Sequence, residues 1–191
     1  MDVFAYCCKS FEIATRRAAG VDPFTCPPLF ALKFDTSVMA KRDLLYFDLH
    51  GRPGEAAWYG DDGLCAITDE QLRYAPIAGS VVFATNCHLG DEDSPMLDAL
   101  LDAGAQYVIG GPGRNYAGQV GVLYASLLGQ ALRIMMAIGF DPLYALKLAK
   151  RVVSVTRLQA MLERNGEARR EHVAAVVDTI EFRAYTRRQS V

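Results

Sequence analysis

Two runs decide the fold: Leu44-Leu45-Tyr46-Phe47-Asp48-Leu49-His50-Gly51 and Val81-Val82-Phe83-Ala84-Thr85-Asn86-Cys87-His88. Each begins with four apolar residues and lacks the polar alternation of a half-exposed strand, which predicts strands covered on both faces, as in a parallel sheet. Each then delivers a reactive group where the strand emerges. The first ends in the His50 imidazole before Gly51, and the second in the Cys87 thiol before the polar loop His88-Leu89-Gly90-Asp91-Glu92-Asp93. Sites in open α/β sheets sit at the carboxyl ends of the strands, so both groups are expected at one edge.

Working outward, residues 3–8, 29–34 and 107–109 are further apolar runs of strand length. Helical signals fall between the runs. Thr68 and Gln71 form a candidate capping box, and Ser94 followed by Pro95 reads as an N-cap and first helical residue before Met96, Leu97, Leu100 and Leu101. Gly104 ends that helix. Strands alternating with helices predict an α/β fold, a three-layer sandwich with a mostly parallel central sheet and right-handed connections. Ala57-Trp58-Tyr59, Gly60-Asp61-Asp62-Gly63 and Leu64 to Ile67 read as a hairpin that walls a cleft. From Asp141-Pro142 the chain reads as helical through Leu162, breaks at Asn165-Gly166 and resumes over 168–187. The expected organisation is a single domain over 1–191, with a helical C-terminal part from about 141.

Composition narrows the function classes. A chain of 191 residues with 51% apolar content can bury one continuous core. Its 20 basic and 22 acidic residues give no broad field to gather nucleic acid or an anionic membrane. Cys7, Cys8, Cys26, Cys65 and Cys87 are odd in number and irregularly spaced, and no leader-like segment precedes them, so a reduced, cytoplasmic protein is expected. Residues 120–140 are the most membrane-like, but Gln130 and Arg133 interrupt them. An arginine near a helix centre costs about 2.5–3.5 kcal/mol to insert, so the segment reads as a core helix and no membrane partner is expected. Cys87, His88 and His50 do not make a conventional metal set, because the chain has no Cys-x-x-Cys pair or His-Glu-x-x-His helix. No metal and no cofactor are expected. Gly110-Gly111-Pro112-Gly113-Arg114-Asn115 lacks the Gly-Lys-Ser/Thr ending of a phosphate loop and reads as a tight turn lining the cleft.

A thiol becomes a useful nucleophile when an imidazole takes its proton or holds its thiolate. A buried cysteine is, however, more often a small hydrophobe, and spacing alone leaves both readings open. Asp48 alternates with His50 along the strand, so it either orients the imidazole or pairs with a neighbouring backbone amide. His88 would point away from its neighbour Cys87 in an extended segment, which leaves His50 as the better base. Asp61, Asp62 and Asp91, with Glu92 and Asp93, could attract a basic side chain at the cleft, whereas Arg52 and Arg114 could attract an acidic one.

The segments Phe47-Asp48-Leu49-His50-Gly51 and Val81 through Gly90 resemble the paired signatures of the CHAT and gingipain-like branches of the caspase-like cysteine peptidases. Softer likeness runs through Leu64 to Leu72, Ala103 to Gly111, Leu127-Leu128-Gly129 and Ala145 to Lys150, so that roughly 43–152 is covered. The resemblance implies a caspase-like fold and a His50–Cys87 catalytic dyad. Cys87 would attack a carbonyl carbon, His50 would protonate the leaving amine, and the Gly51 and Cys87 N–H groups would form the oxyanion hole. Thr85-Asn86-Cys87-His88-Leu89 departs from the family's more usual Ser-Ala-Cys followed by Glu and Thr. The expectation is a cysteine-dependent endopeptidase acting through a thioester on a peptide or protein substrate, with Lys or Arg preferred before the cleaved bond. Its rivals are a catalytically silent or partner-activated caspase-like regulatory domain, and a flavodoxin-like module that binds phosphate at Gly110 and uses Cys87 only as core.

Overall fold

The computed structural model describes residues 1–162 and 166–187, with side chains described up to 156 and from 170. In chain order the elements are β1 (Val3–Cys8), α1 (Glu12–Ala19), β2 (Phe24–Cys26), β3 (Leu44–Asp48), β4 (Ala57–Tyr59), β5 (Cys65–Thr68), α2 (Asp69–Arg73), β6 (Val81–Ala84), α3 (Pro95–Asp102), β7 (Tyr107–Gly110), α4 (Tyr124–Ala137), α5 (Pro142–Leu162), α6 (Gly166–Ile180) and β8 (Arg183–Tyr185). Six strands form the central sheet in the order β2-β1-β3-β6-β7-β8. The first five run parallel, and β8 lies antiparallel on β7. The chain is therefore an α/β protein with a mostly parallel sheet. Strand order reverses direction between β1 and β3, so the crevice beyond the carboxyl ends of those strands is a topological switch point.

The apolar runs read as doubly covered because successive side chains enter different cores. Phe4, Tyr6, Leu45, Phe47, Val82 and Val108 pack with Leu72 of α2, Leu100 of α3 and Trp58 of the β4–β5 hairpin. Ala5, Leu44, Tyr46, Val81, Phe83 and Ile109 pack with Ala18 of α1, Leu128 and Leu132 of α4 and Ala149 of α5. Helix starts follow the local chemistry. Thr68 and Gln71 make both bonds of the capping box, Ser94 accepts from the Leu97 amide ahead of Pro95, and Asp141 accepts from the Leu143 amide at 2.9 Å. Residues 120–140 contain α4, and no helix among the described residues is long and apolar enough to cross a membrane.

Two expected elements differ. Residues 29–34 form no strand; the edge strand is β2, and Pro27-Pro28 follow it directly. Proline has no N–H to give a ladder, so the chain turns, and Phe34 gains its burial by stacking on Tyr6 with ring centroids 4.6 Å apart. The helix expected over 168–187 ends at Ile180 and gives way to β8. Phe182 is fully buried and stacks on Phe83, placing the last strand on the otherwise unpaired edge of β7. Three residues are too few for periodicity to reveal a strand. Of the expected Asn165-Gly166 break, Asn165 lies outside the described residues.

Gly129 lets α4 sit close on the sheet. A Cβ there would lie 2.5 Å from Phe83 Cε1 and 2.6 Å from Tyr46 Cε2. Gly129→Ala gains about 1 kcal/mol of helix propensity but overpacks two buried rings at about 1–3 kcal/mol. Urea denaturation should show a net loss of stability. A variant more stable than the parent would mean that α4 can retreat from the sheet at no cost.

Candidate active site

β3 and β6 are adjacent, with Tyr46 opposite Phe83 and Phe47 opposite Ala84. Past the ladder the Thr85 amide still donates to the Phe47 carbonyl at 2.9 Å. The next bond comes from a side chain, as the Leu49 amide donates to Asn86 Oδ1 at 3.0 Å. The two chains then touch at Gly51, where a Cβ would lie 2.0 Å from the Cys87 carbonyl oxygen. Only a residue without a side chain permits that approach. His50 and Cys87, distant in sequence, thus emerge side by side.

Each is held by a different neighbour. His50 exchanges both backbone hydrogen bonds with Tyr59 of β4, at 2.8 and 2.9 Å, and Phe11 meets its ring edge-on with centroids 5.4 Å apart. The imidazole is exposed. Cys87 is partly buried. Its sulfur accepts from the Asn115 amide at 3.3 Å and donates to the Asn115 carbonyl at 3.7 Å, so the resting thiol bonds to Asn115 and not to His50. Both groups line one cavity of about 340 Å³, together with Phe11, Asp48, Thr85, Asn115, Tyr116 and Gln119. Among the described residues, the Gly51 and Cys87 amides make no hydrogen bond.

Asp48 does neither of the things expected of it. It is 1% exposed, its Oδ2 accepts from Thr15 Oγ1 at 2.8 Å, and its Oδ1 accepts from Thr85 Oγ1. Both oxygens are taken, by hydroxyls and not by His50 or a backbone amide. Burial pushes this carboxyl up to about 6, against the opposing pull of the two hydroxyls. Asp48 joins α1 to the ends of β3 and β6 at the cavity wall.

The acids and the arginine expected around the cleft are not among the residues lining this cavity. Asp61 accepts from the Ser10 amide at 2.8 Å and from the Ser10 hydroxyl at 2.6 Å, tying the segment after β1 to the β4–β5 hairpin. Even so, a carboxylate oxygen of Asp61 comes within 4.8 Å of a His50 ring nitrogen. Asp62 turns the hairpin in a left-handed conformation, φ 57°. Asp91 accepts from the Gly113 amide at 2.7 Å and bonds His88 Nδ1 at 2.8 Å, while the His88 amide donates to the Gly113 carbonyl at 2.6 Å. His88 is thereby committed to the loop. Arg114 is exposed. The glycine-rich turn does not open a helix, since α4 begins only at Tyr124, and its Gly113 amide is already occupied by a carboxylate.

Asn86 and Asn115 were not singled out in the sequence, yet they build the site. Asn115 Nδ2 donates to the Asn86 carbonyl at 2.8 Å, joining the chain just before Cys87 to the segment over its thiol. An asparagine inside an apolar run is the available signal, because a buried amide must find partners.

A carboxyl raised from its ordinary value of 3.8 to about 6 binds more proton in the folded than in the unfolded state between those values. Its contribution to stability is therefore complete below about pH 4 and lost as pH rises through 6, a change on the order of 2–3 kcal/mol. Asp48→Asn keeps an acceptor and a donor for the two threonines but cannot ionise. Chemical denaturation from pH 4 to 7.5 should show the variant gaining on the parent as pH rises, and parallel curves would refute the raised carboxyl. No protein-family model matches the chain, and no curated protein matches it at a significant level.

Proposed function

We propose that this protein is a cysteine-dependent hydrolase of the caspase-like kind, most simply an endopeptidase, with Cys87 as nucleophile and His50 as proton-transfer group. The observation that carries this reading is the backbone contact between Gly51 and Cys87, which holds a thiol and an imidazole at the rim of one cavity. The Gly51 and Cys87 amides, which make no hydrogen bond among the described residues, belong to the same contact and suit a developing oxyanion.

The chemistry follows from these groups. The Cys87 sulfur, its proton passed to His50, attacks the carbonyl carbon of the scissile amide, and the oxygen takes up negative charge facing the two amides. The tetrahedral species collapses as the C–N bond breaks and His50 gives the proton to the leaving amine. Water, deprotonated by His50, then attacks the thioester and releases the acid and the free thiol. The Asn115 N–H against sulfur stabilises the thiolate. Lys or Arg before the cleaved bond remains the proposed preference on the family resemblance alone, since the acids of the flanking loops do not line this cavity.

A second reading, a partner-activated or silent regulatory domain, is favoured by one observation. Asn115, Tyr116 and Gln119 line the cavity over the thiol, and Asn115 occupies both hydrogen-bonding capacities of the sulfur. A partner that moved this segment would uncover the nucleophile.

Peptide acyloxymethyl ketones carrying Arg, Lys or Asp, followed by mass spectrometry of the folded protein, test the proposal. Labelling is expected at Cys87, abolished in Cys87→Ala and slowed by on the order of 10²–10⁴ in His50→Ala. Absence of a Cys87 adduct with every probe would reject the active hydrolase, and an adduct that forms equally fast in His50→Ala would reject His50 as its partner.

A further inference from the structure

A second group of metal-binding character overlaps the first site without using its nucleophile. Cys8 ends β1, His50 follows β3, and Asp61 opens the turn of the β4–β5 hairpin. One sulfur, one ring nitrogen and one carboxylate oxygen from these residues all lie within 4.8 Å of one another. They stand at the β1/β3 switch point, where an α/β sheet opens its crevice.

We propose that Cys8, His50 and Asp61 form a three-ligand site for Zn²⁺ or a similar borderline divalent cation, and that its occupancy withdraws His50 from Cys87. The binding part stands on its own; the regulatory part rests on the hydrolase reading above.

The donor set selects the ion. A thiolate, an imidazole and a carboxylate match zinc, whereas Mg²⁺ and Ca²⁺ call for oxygen ligands throughout. Zinc bonds of about 2.0–2.3 Å in a tetrahedron put one sulfur, one nitrogen and one oxygen roughly 3.3–3.6 Å apart, so atoms now within 4.8 Å of one another need close by no more than about 1.5 Å. The His50 ring can turn, being exposed and without a hydrogen bond among the described residues, while Asp61, in a partly exposed turn, is held by Ser10 and keeps a lone pair on each oxygen for a metal. The fixed member is Cys8, fully buried, whose thiol donates only a weak bond to the Tyr59 carbonyl at 3.5 Å. A carboxylate oxygen of Asp61 within 4.8 Å of that sulfur supplies negative charge that favours a cation.

Binding is balanced without redox chemistry. The metal forms bonds to sulfur, nitrogen and oxygen, the Cys8 proton passes to solvent, and water takes the fourth position. The Ser10 bonds that now hold Asp61 leave the carboxylate oriented, as outer partners do in metal sites.

The test uses the full chain stripped of metal. Co²⁺ should give a thiolate-to-metal charge-transfer band at one equivalent, and Zn²⁺ calorimetry should give the same stoichiometry. Cys8→Ser should remove the band, Asp61→Asn should weaken Zn²⁺ by on the order of 10–100-fold or more, and Cys87→Ser should change neither. Should Cys8→Ser fail a thermal melting check, Asp61→Asn, altered at a partly exposed turn, decides the matter. A band lost in Cys87→Ser but kept in Cys8→Ser, or no stoichiometric binding, would overturn the site. Zn²⁺ should also slow labelling of Cys87 at least tenfold, reversibly with chelator and not in Cys8→Ser. Binding without this slowing would overturn the regulatory part alone, and binding to a protein whose Cys87 never labels would sink the hydrolase reading while leaving the site intact.

Discussion

The close approach of the Gly51 backbone to the Cys87 carbonyl is the constraint on which the candidate site depends. Parallel strands normally splay once their ladder ends. Here a chain of substitutes carries the alignment outward: the Thr85 amide on Phe47, the Asn86 side chain on the Leu49 amide, and finally a contact that leaves no room for a methyl group. Sheet geometry is thus continued by side-chain chemistry beyond the last β residue. The imidazole and thiol inherit their mutual placement from that continuation, in the way that precise sites are usually built on rigid elements.

Supports on either side make the arrangement stiff. Below, buried Asp48 links Thr15 of α1 to Thr85, spending hydrogen bonds on a carboxyl that burial pushes up to about 6. To one flank, the hairpin grips His50 through Tyr59 and the β1 exit through Asp61 and Ser10. To the other, Asp91 grips His88 and Gly113, fixing both loops around the thiol. Acids that a linear reading assigns to substrate are used to hold loops together.

The strands of the parallel sheet were legible wherever the chain is apolar on both faces, as at 44–48 and 81–84, because double burial removes polar alternation. Helix starts at Thr68, Ser94 and Asp141 were legible from local caps. The run 29–34 misled because apolar content reports burial and not pairing, and Pro27-Pro28 had already ended the edge. β8 was hidden because a three-residue strand that follows a helix carries no period of its own. At the site, His50, Gly51 and Cys87 could be read from strand ends, but the partners of Asp48 and Asp61, and the Gly113 partner of Asp91, lie tens of positions away, which no local pattern encodes.

The short closing strand β8 has one more consequence. Phe182 stacks on Phe83 of the strand that leads to Cys87, and the Tyr185 hydroxyl donates to the Gly90 carbonyl at 3.2 Å, in the loop that follows Cys87. Residues 182–185 therefore do two jobs at once: they give the β7 ladder its outer partner and they brace the loop after Cys87, so the far end of the described chain and the turn beyond β6 are held as one unit.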